Sequence, residues 1–179
     1  NSDMKIADQS TRVDLIVNDT GHHHHGDHHK AGVDPHIWTS PKSVKKQIEV
    51  IYTLLSNLDP ENNLYYRKNT IQFSKNIDSL DSYIENKFSG LERRSFLIFH
   101  PALSYYSKKY GLNQIPVEIE GKEPSPIKLQ ELVDKAKSKN IQRVFIQEQF
   151  NTDNAKTVAR EIGGKVEVID PLAYDWYQS

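Results

Sequence analysis

Short apolar runs alternate with helical patterns in the second half of the chain, and this alternation restricts the possible folds most strongly. Four apolar runs have the length and composition of buried strands, at residues 95–99, 115–119, 144–147 and 166–169. The intervening segments have helical patterns at about 101–110, 126–139 and 153–162. Strands that alternate with helices form a parallel sheet covered by those helices. The sequence therefore predicts an α/β lobe over residues 91–179.

Two helices are predicted in the first half of the chain. Ser40 is a good N-cap and Pro41 suits the first helical position, so a helix should begin there. Asp59 and the proline after it repeat this signal and predict a second helix over residues 60–90, which Gly90 would end in the left-handed conformation. Its residues, at a rise of 1.5 Å each, would span about 45 Å. A helix of this length is predicted to run across the molecule.

The composition excludes several functional classes. The chain of 179 residues has no cysteine, which excludes disulfides, thiolate zinc sites and cysteine nucleophiles. Its formal net charge of -1 argues against nucleic-acid binding, which usually needs a basic patch. The first residues lack the basic-then-apolar pattern of an export signal, so either the protein is not exported or the sequence begins after its signal. A bound transition metal would have imidazole and carboxylate ligands.

Polar side chains follow each predicted strand. In a parallel sheet, ligands bind beyond the carboxyl ends of the strands. The residues at those ends are His100, Glu120, Glu148 and Asp170. One imidazole and three carboxylates would thus share one edge of the sheet, although strand ends are often polar by chance. His100 and the proline after it are also predicted to open a helix, which would hold a ligand in place.

Another candidate ligand, His36, lies in the segment Asp34-Pro35-His36-Ile37-Trp38, directly before the first predicted helix. A lone histidine in such a place is more often solvated, or packed as a cap on the core, than bound to a metal. Trp38 is predicted to be a packing residue. Both interpretations of His36 stay open on this pattern alone.

Six of the eight histidines are clustered in one polar, glycine-containing stretch at 19–32, which predicts a mobile loop. They are His22, His23, His24, His25, His28 and His29. Neutral imidazole is the commonest metal-binding side chain, so this tract should chelate Zn, Ni or Cu to some degree. Ordering a loop around an ion costs conformational entropy, which predicts weak, multiple and poorly selective binding. The alternative is a solvated loop without a selected role.

Five short segments occur in a characteristic order over most of residues 30–175. They are Asp34–Pro41, Phe99–Ala102 with Tyr106 and Tyr110–Leu112, Glu118–Pro126, Gln147–Phe150, and Ile169–Leu172. The first of them and the sequence Gly-Lys-Glu-Pro-Ser-Pro at 121–126 are the most specific. In these segments the chain resembles the solute-binding receptors of ABC-type zinc and manganese importers.

The resemblance implies two α/β lobes joined by the long helix at 60–90, with metal bound between the lobes. It assigns residues 1–40, including the His-rich loop, to the end of the first lobe. Residues 41–90 would form the helices, and residues 91–179 would form the second lobe. The family has a further histidine ligand upstream that nothing here matches, so the chain is expected to be a fragment that also stops before the last helix.

The resemblance also implies the ligands and the function. His36 and His100 match the family's ligands, and Asp170 matches a ligand that some relatives replace with water or an open position. The implied function is zinc capture in the periplasm or outside the cell, followed by delivery to an ABC transporter membrane permease, without catalysis. Contact with the membrane would come only through the permease or a lipid anchor. An imidazole at position 100 favours Zn²⁺ over Mn²⁺.

Two other functional classes remain as alternatives. A zinc hydrolase would need an open position for water and a general base, for which Glu120 or Glu148 are candidates. The sequence has no G-x-S-x-G, H-E-x-x-H or phosphate-binding glycine loop. Glu118, Glu120 and Glu123 surround a lysine, which is typical of a solvated loop. A metal-buffering or adhesive surface protein would bind mainly through residues 22–29.

Overall fold

The computed structural model describes residues 4–17, 32–118, 124–150 and 152–175. The chain divides into two compact units, Asn1–Asn86 and Lys87–Ser179. Some of the predicted features lie outside the described residues. They are the loop at 19–32, of which only Gly32 is described, its histidines at 22–29, and the two glutamates Glu120 and Glu123. No helix within the described ranges is both long and apolar enough to cross a membrane.

The first unit is built mainly from two helices, α1 (Pro41–Leu58) and α2 (Asn63–Phe88), and the last two residues of α2 belong to the second unit. Short 3-10 turns precede them at Gln9–Arg12, Ile37–Thr39 and Pro60–Asn62. An isolated antiparallel bridge joins Val17 to Val33. The segment before α1 is also tied to it by exposed ion pairs, such as Lys46 Nζ to Asp14 Oδ2 at 2.8 Å. Such exposed pairs contribute little stability.

The start of α1 confirms the predicted boundary but not the predicted role of Ser40. The helix begins at Pro41, and Ser40 occupies the N-cap position with an extended backbone. Its hydroxyl makes no capping hydrogen bond. Ser40 is buried, and its carbonyl accepts the Val44 N–H at 2.9 Å. Ser40 therefore contributes to the helix start through its backbone.

Helix α2 is shorter at its start than predicted. Residues 60–62 form a 3-10 turn, and the Asp59 carboxylate accepts hydrogen bonds from the side chains of Asn62 and Tyr66, at 2.8 and 2.7 Å. These bonds lower the pKa of Asp59, and the bond from Asn62 contributes most to the shift. The 26 residues of α2 span about 39 Å at 1.5 Å each.

The end of α2 at Phe88 differs from the predicted stop at Gly90, which is not among the glycines with positive φ. The Phe88 carbonyl accepts from the Leu91 N–H at 3.1 Å and also from the Arg94 guanidinium. Its Nη2 donates to the Phe88 carbonyl at 3.1 Å, and its Nη1 donates to the Tyr110 carbonyl at 3.0 Å. One side chain thus satisfies the carboxyl ends of two helices. Phe88 also packs edge-on against the Tyr110 ring at 5.8 Å.

The second unit is an α/β lobe, as predicted. Its elements are β1 (Ser95–Ile98), α3 (Ser104–Tyr110), β2 (Asn113–Pro116), α4 (Pro126–Ser138), β3 (Arg143–Gln147), α5 (Thr152–Glu161) and β4 (Lys165–Ile169). The four strands form one parallel sheet in the order β2-β1-β3-β4. Strand β2 lies earlier than the predicted 115–119, and its pairing with β1 runs from Ser95–Asn113 to Ile98–Pro116.

The core of the second unit lies on the two central strands. Leu97, Val144 and Ile146 are fully buried there, and α4 and α5 cover them with small apolar residues such as Ala136 and Val158. Burying such side chains stabilises a fold by about 1.5–3 kcal/mol each. Because the sheet is parallel, this packing brings the carboxyl ends of all four strands to one edge.

Candidate metal centre

His100 lies just past β1, at the edge where the strands end. It does not open a helix as predicted: residues 100–103 form a turn, in which the Ala102 N–H donates to the His100 carbonyl at 2.8 Å, and α3 begins only at Ser104. The backbone of His100 is held instead by Gln147 at the end of β3. The Gln147 Nε2 donates to the His100 carbonyl at 2.8 Å, and the His100 N–H donates to Gln147 Oε1 at 3.3 Å.

The imidazole of His100 pairs with Glu118, which corrects the prediction that Glu118 belongs to a solvated loop. The His100 Nδ1 lies 2.6 Å from Glu118 Oε1, and the glutamate side chain is only 6% exposed. Glu118 is drawn inward because the chain after β2 keeps following β1. The Val117 N–H donates to the Ile98 carbonyl at 2.8 Å, and the Glu118 N–H donates to the Phe99 carbonyl at 3.2 Å.

His36 has the same kind of partner in the first unit. Its Nδ1 lies 2.7 Å from Asp34 Oδ1, and its backbone N–H donates to the same oxygen at 2.9 Å. Asp34 is buried, and its own N–H donates to the Ile16 carbonyl at 2.8 Å. The Trp38 ring lies 5.4 Å from the imidazole and is partly exposed, so it packs against His36 and not in the core.

The two carboxylates have the same chemical consequence. A carboxylate on Nδ1 favours the tautomer in which Nδ1 carries the proton, which makes Nε2 the nitrogen whose lone pair could bind a metal. It also holds the ring in one orientation. Both His36 and His100 therefore have the arrangement of a metal-ligating histidine with its supporting carboxylate.

The other predicted strand-end residues are more exposed. Asp170 follows β4, and its Oδ1 accepts the Leu172 N–H at 2.9 Å. Glu148 follows β3 and is exposed. Within the described residues of either unit, no three His, Asp or Glu side chains form a group that could hold a metal ion. His36 belongs to the first unit, and His100 and Asp170 belong to the second.

Three supporting residues were not predicted from the sequence: Asp34, Glu118 and Gln147. For Asp34 a signal existed, because a carboxylate two residues before a histidine can accept its backbone N–H in an Asx turn. Gln147 is a polar residue at the end of a buried strand, which is a weaker signal. Glu118 has no local signal, since its partner is 18 residues away in the chain.

Comparison with known proteins gives a consistent result. The family model described as "Zinc-uptake complex component A periplasmic" matches residues 1–177. The zinc uptake protein ZnuA of Bacillus subtilis is 34% identical over 142 residues, which are 78% of this chain and 44% of that protein. The zinc-binding lipoprotein AdcA of Streptococcus pneumoniae R6 is 32% identical over 155 residues, which are 85% of this chain and 31% of that protein. The chain thus spans less than half the length of these relatives.

Solved structures agree with these relatives. A crystal structure of ZnuA superposes with a TM-score of 0.89 at 37% identity, covering 99% of this chain and 66% of that one. A zinc-bound ZnuA deletion mutant gives a TM-score of 0.88 at 37% identity, covering 99% and 65%. These proteins are named for zinc uptake and zinc binding and not for an enzymatic reaction, and the predicted resemblance is confirmed. The chain belongs to the family of the periplasmic component A of zinc-uptake complexes.

Proposed function

We propose that this chain is the part of a zinc receptor that supplies two imidazole ligands, the Nε2 atoms of His36 and His100. The observation that supports this most strongly is the buried carboxylate on each Nδ1, Asp34 at 2.7 Å and Glu118 at 2.6 Å. A surface histidine without a role has no reason to be oriented by a buried carboxylate, since burying that charge is costly. Two such pairs in one chain of a zinc-uptake family favour ligation over the interpretation of His36 as a solvated or core-capping residue.

The proposed chemistry is capture and release. Zinc prefers four nitrogen, sulfur or oxygen ligands in a tetrahedral arrangement. His36 and His100 supply two nitrogens, and Asp170, exposed at the end of β4, or a water molecule supplies an oxygen. Imidazole suits zinc, whereas carboxylate-rich sites suit manganese, so the site should prefer Zn²⁺.

The receptor would act outside the cytoplasmic membrane and deliver zinc to an ABC-type permease. The family description and the lipoprotein AdcA support this location and an anchored form. The six histidines at 22–29 would act as an auxiliary, low-affinity zinc binder. Imidazoles in a polar, glycine-containing stretch can chelate without a fold, but each ion then costs ordering entropy.

The test is a chelator-buffered zinc titration of the full-length receptor, of His36→Ala and of His100→Ala. Each substitution removes a direct ligand and should weaken tight zinc binding by at least about 100-fold, since even the loss of a supporting residue costs about 10–100-fold. His28→Ala, in the His-rich tract, is the matched control and should keep the tight site. Native zinc affinity in both His36→Ala and His100→Ala would overturn the proposal.

A further inference from the structure

We propose that Gln147 is a positioning residue for metal capture, because its buried carboxamide fixes the backbone from which the His100 imidazole projects. This inference rests on the proposed role of His100 as a zinc ligand. Gln147 is 1% exposed and is among the largest fully buried side chains described. Both polar atoms of its amide are used on one residue: Oε1 accepts from the His100 N–H, and Nε2 donates to the His100 carbonyl.

The Gln147 amide bonds His100 at the point where β1 and β3 stop pairing through their backbones. Strands β1 and β3 pair at Leu97–Val144 and Ile98–Phe145, and the Phe99 N–H still donates to the Phe145 carbonyl at 2.8 Å. At the next residue, His100, the partner from β3 is a side chain. The side chain of Gln147 takes over and bonds both backbone groups of His100, so the edge of the sheet extends by one residue through a side chain.

A carboxamide satisfies both groups with one donor and one acceptor. An ionised glutamate at this position has no hydrogen to donate to the His100 carbonyl, and a methionine of similar size offers neither a good donor nor a good acceptor. Because Gln147 is buried, water does not readily replace the bonds of its amide. The Ala102 N–H still donates to the His100 carbonyl at 2.8 Å, so the His100 N–H is the group that depends most on the amide. The chemistry of the amide, and not only its volume, is therefore required.

The backbone of Gln147 also helps to position Phe150, which is a second contact of the His100 imidazole. Its backbone carbonyl accepts the Phe150 N–H at 3.1 Å. The Phe150 ring stacks on the His100 ring, with centroids 5.5 Å apart and planes at 26°. Glu118 sets the ring orientation at Nδ1, Phe150 covers one ring face, and Gln147 fixes the backbone. Loss of the Gln147 amide should therefore shift Nε2 even while Glu118 and Phe150 remain.

The test compares Gln147→Met and Gln147→Glu in the full-length receptor with the matched control Gln149→Met, at an exposed position two residues further on. Three quantities are measured: the zinc Kd, the visible spectrum of the cobalt-loaded protein, and the melting temperature without metal. Both Gln147 variants should bind zinc about 10–100-fold more weakly and show an altered cobalt spectrum. Gln149→Met should match the wild type in both. A purely structural role would lower the melting temperature alone.

His100→Ala separates failure of this inference from failure of the proposed function. If His100→Ala keeps native zinc affinity, the ligand assignment itself is wrong. If His100→Ala loses affinity while folded Gln147→Met and Gln147→Glu keep the native Kd and cobalt spectrum, only the role of Gln147 is wrong. Should both variants fail to fold, amide hydrogen exchange on the wild type decides. Slow exchange of the His100 N–H is expected, and exchange at the rate of an open loop would overturn the inference.

Discussion

His36 and His100 have the same chemical environment but acquire it in different ways. Each imidazole has a buried carboxylate on Nδ1, at 2.7 Å in one case and 2.6 Å in the other. Asp34 reaches His36 within a single turn, two residues away. Glu118 reaches His100 across 18 residues, and only because β2 pairs beside β1. The first pair forms within a short segment of chain, whereas the second forms only when the strands of the sheet are in place.

This difference indicates how each ligand depends on the rest of the chain. The His36 pair forms within the turn at 34–36, which also uses the His36 N–H and is held by the bond from the Asp34 N–H to the Ile16 carbonyl. The His100 pair needs the correct strand order, the continued pairing after β2 and the amide of Gln147. Damage to the sheet should therefore disorder His100 before it affects His36.

The largest expected effect comes from opening a cavity under the sheet. Ile146 is fully buried on β3, so Ile146→Ala should destabilise the second unit by about 2–5 kcal/mol. The His100 ring resonances in an NMR spectrum should then broaden at denaturant concentrations where those of His36 stay native. Ile127→Ala, at an exposed position, is the matched control and should change little. Simultaneous loss of both histidine environments would contradict the comparison.

Acidification should weaken both ligands together. An imidazole must be deprotonated to bind zinc, so protons compete with the metal as the pH falls. Zinc affinity should be constant above neutrality and fall steeply below about pH 6, near the range where ordinary histidines titrate. Chelator-buffered titrations between pH 7.5 and pH 5 measure this. An affinity that stays flat over the range would indicate carboxylate ligands.

Neutralising Glu118, the carboxylate that pairs with His100, should weaken zinc binding clearly but less than acidification does. Glu118→Gln keeps the size of the side chain but removes the charge that favours the proton on Nδ1 of His100. Zinc affinity should fall about 10–100-fold, the usual cost of losing such a partner. Glu131→Gln, on the exposed surface of α4, is the matched control and should leave the Kd unchanged. A native Kd in Glu118→Gln would show that the pair has no influence on binding.

The smallest effect is expected for Asp34→Asn. The amide oxygen can still accept the His36 N–H, so the turn should persist, and zinc affinity should fall about tenfold, the lower end of the usual range. The same zinc titration measures it. A loss larger than that of Glu118→Gln would reverse the proposed order of the two pairs and show that the local turn depends on the charge.

The sequence was sufficient to predict the features that depend on local pattern. The α/β fold, the start of α1 at Pro41 and the positions of His36 and His100 all follow from periodicity, capping residues or short motifs. The predicted stop at Gly90 was wrong: α2 ends at Phe88, whose carbonyl accepts from Arg94 and from the Leu91 N–H, and neither bond could be foreseen from the helical pattern.

The supporting residues of the candidate site could not be predicted in the same way. Glu118 lies among charged residues, so its local sequence resembles that of a solvated loop. Its burial depends on backbone bonds to Ile98 and Phe99, which exist only once β1 and β2 are adjacent. Gln147 likewise has a role only because β3 pairs with β1. These residues are defined by strand order, which local pattern alone does not determine.

The most direct test of the account is the state of the ring nitrogens in the zinc-loaded, full-length receptor labelled with ¹⁵N-histidine. Long-range ¹H–¹⁵N NMR spectra distinguish a protonated nitrogen from one bound to metal. The account predicts one tightly bound zinc ion, with Nε2 of both His36 and His100 coordinated and Nδ1 of both protonated. Coordination through Nδ1, or an unliganded ring at either position when the tight site is filled, would contradict it.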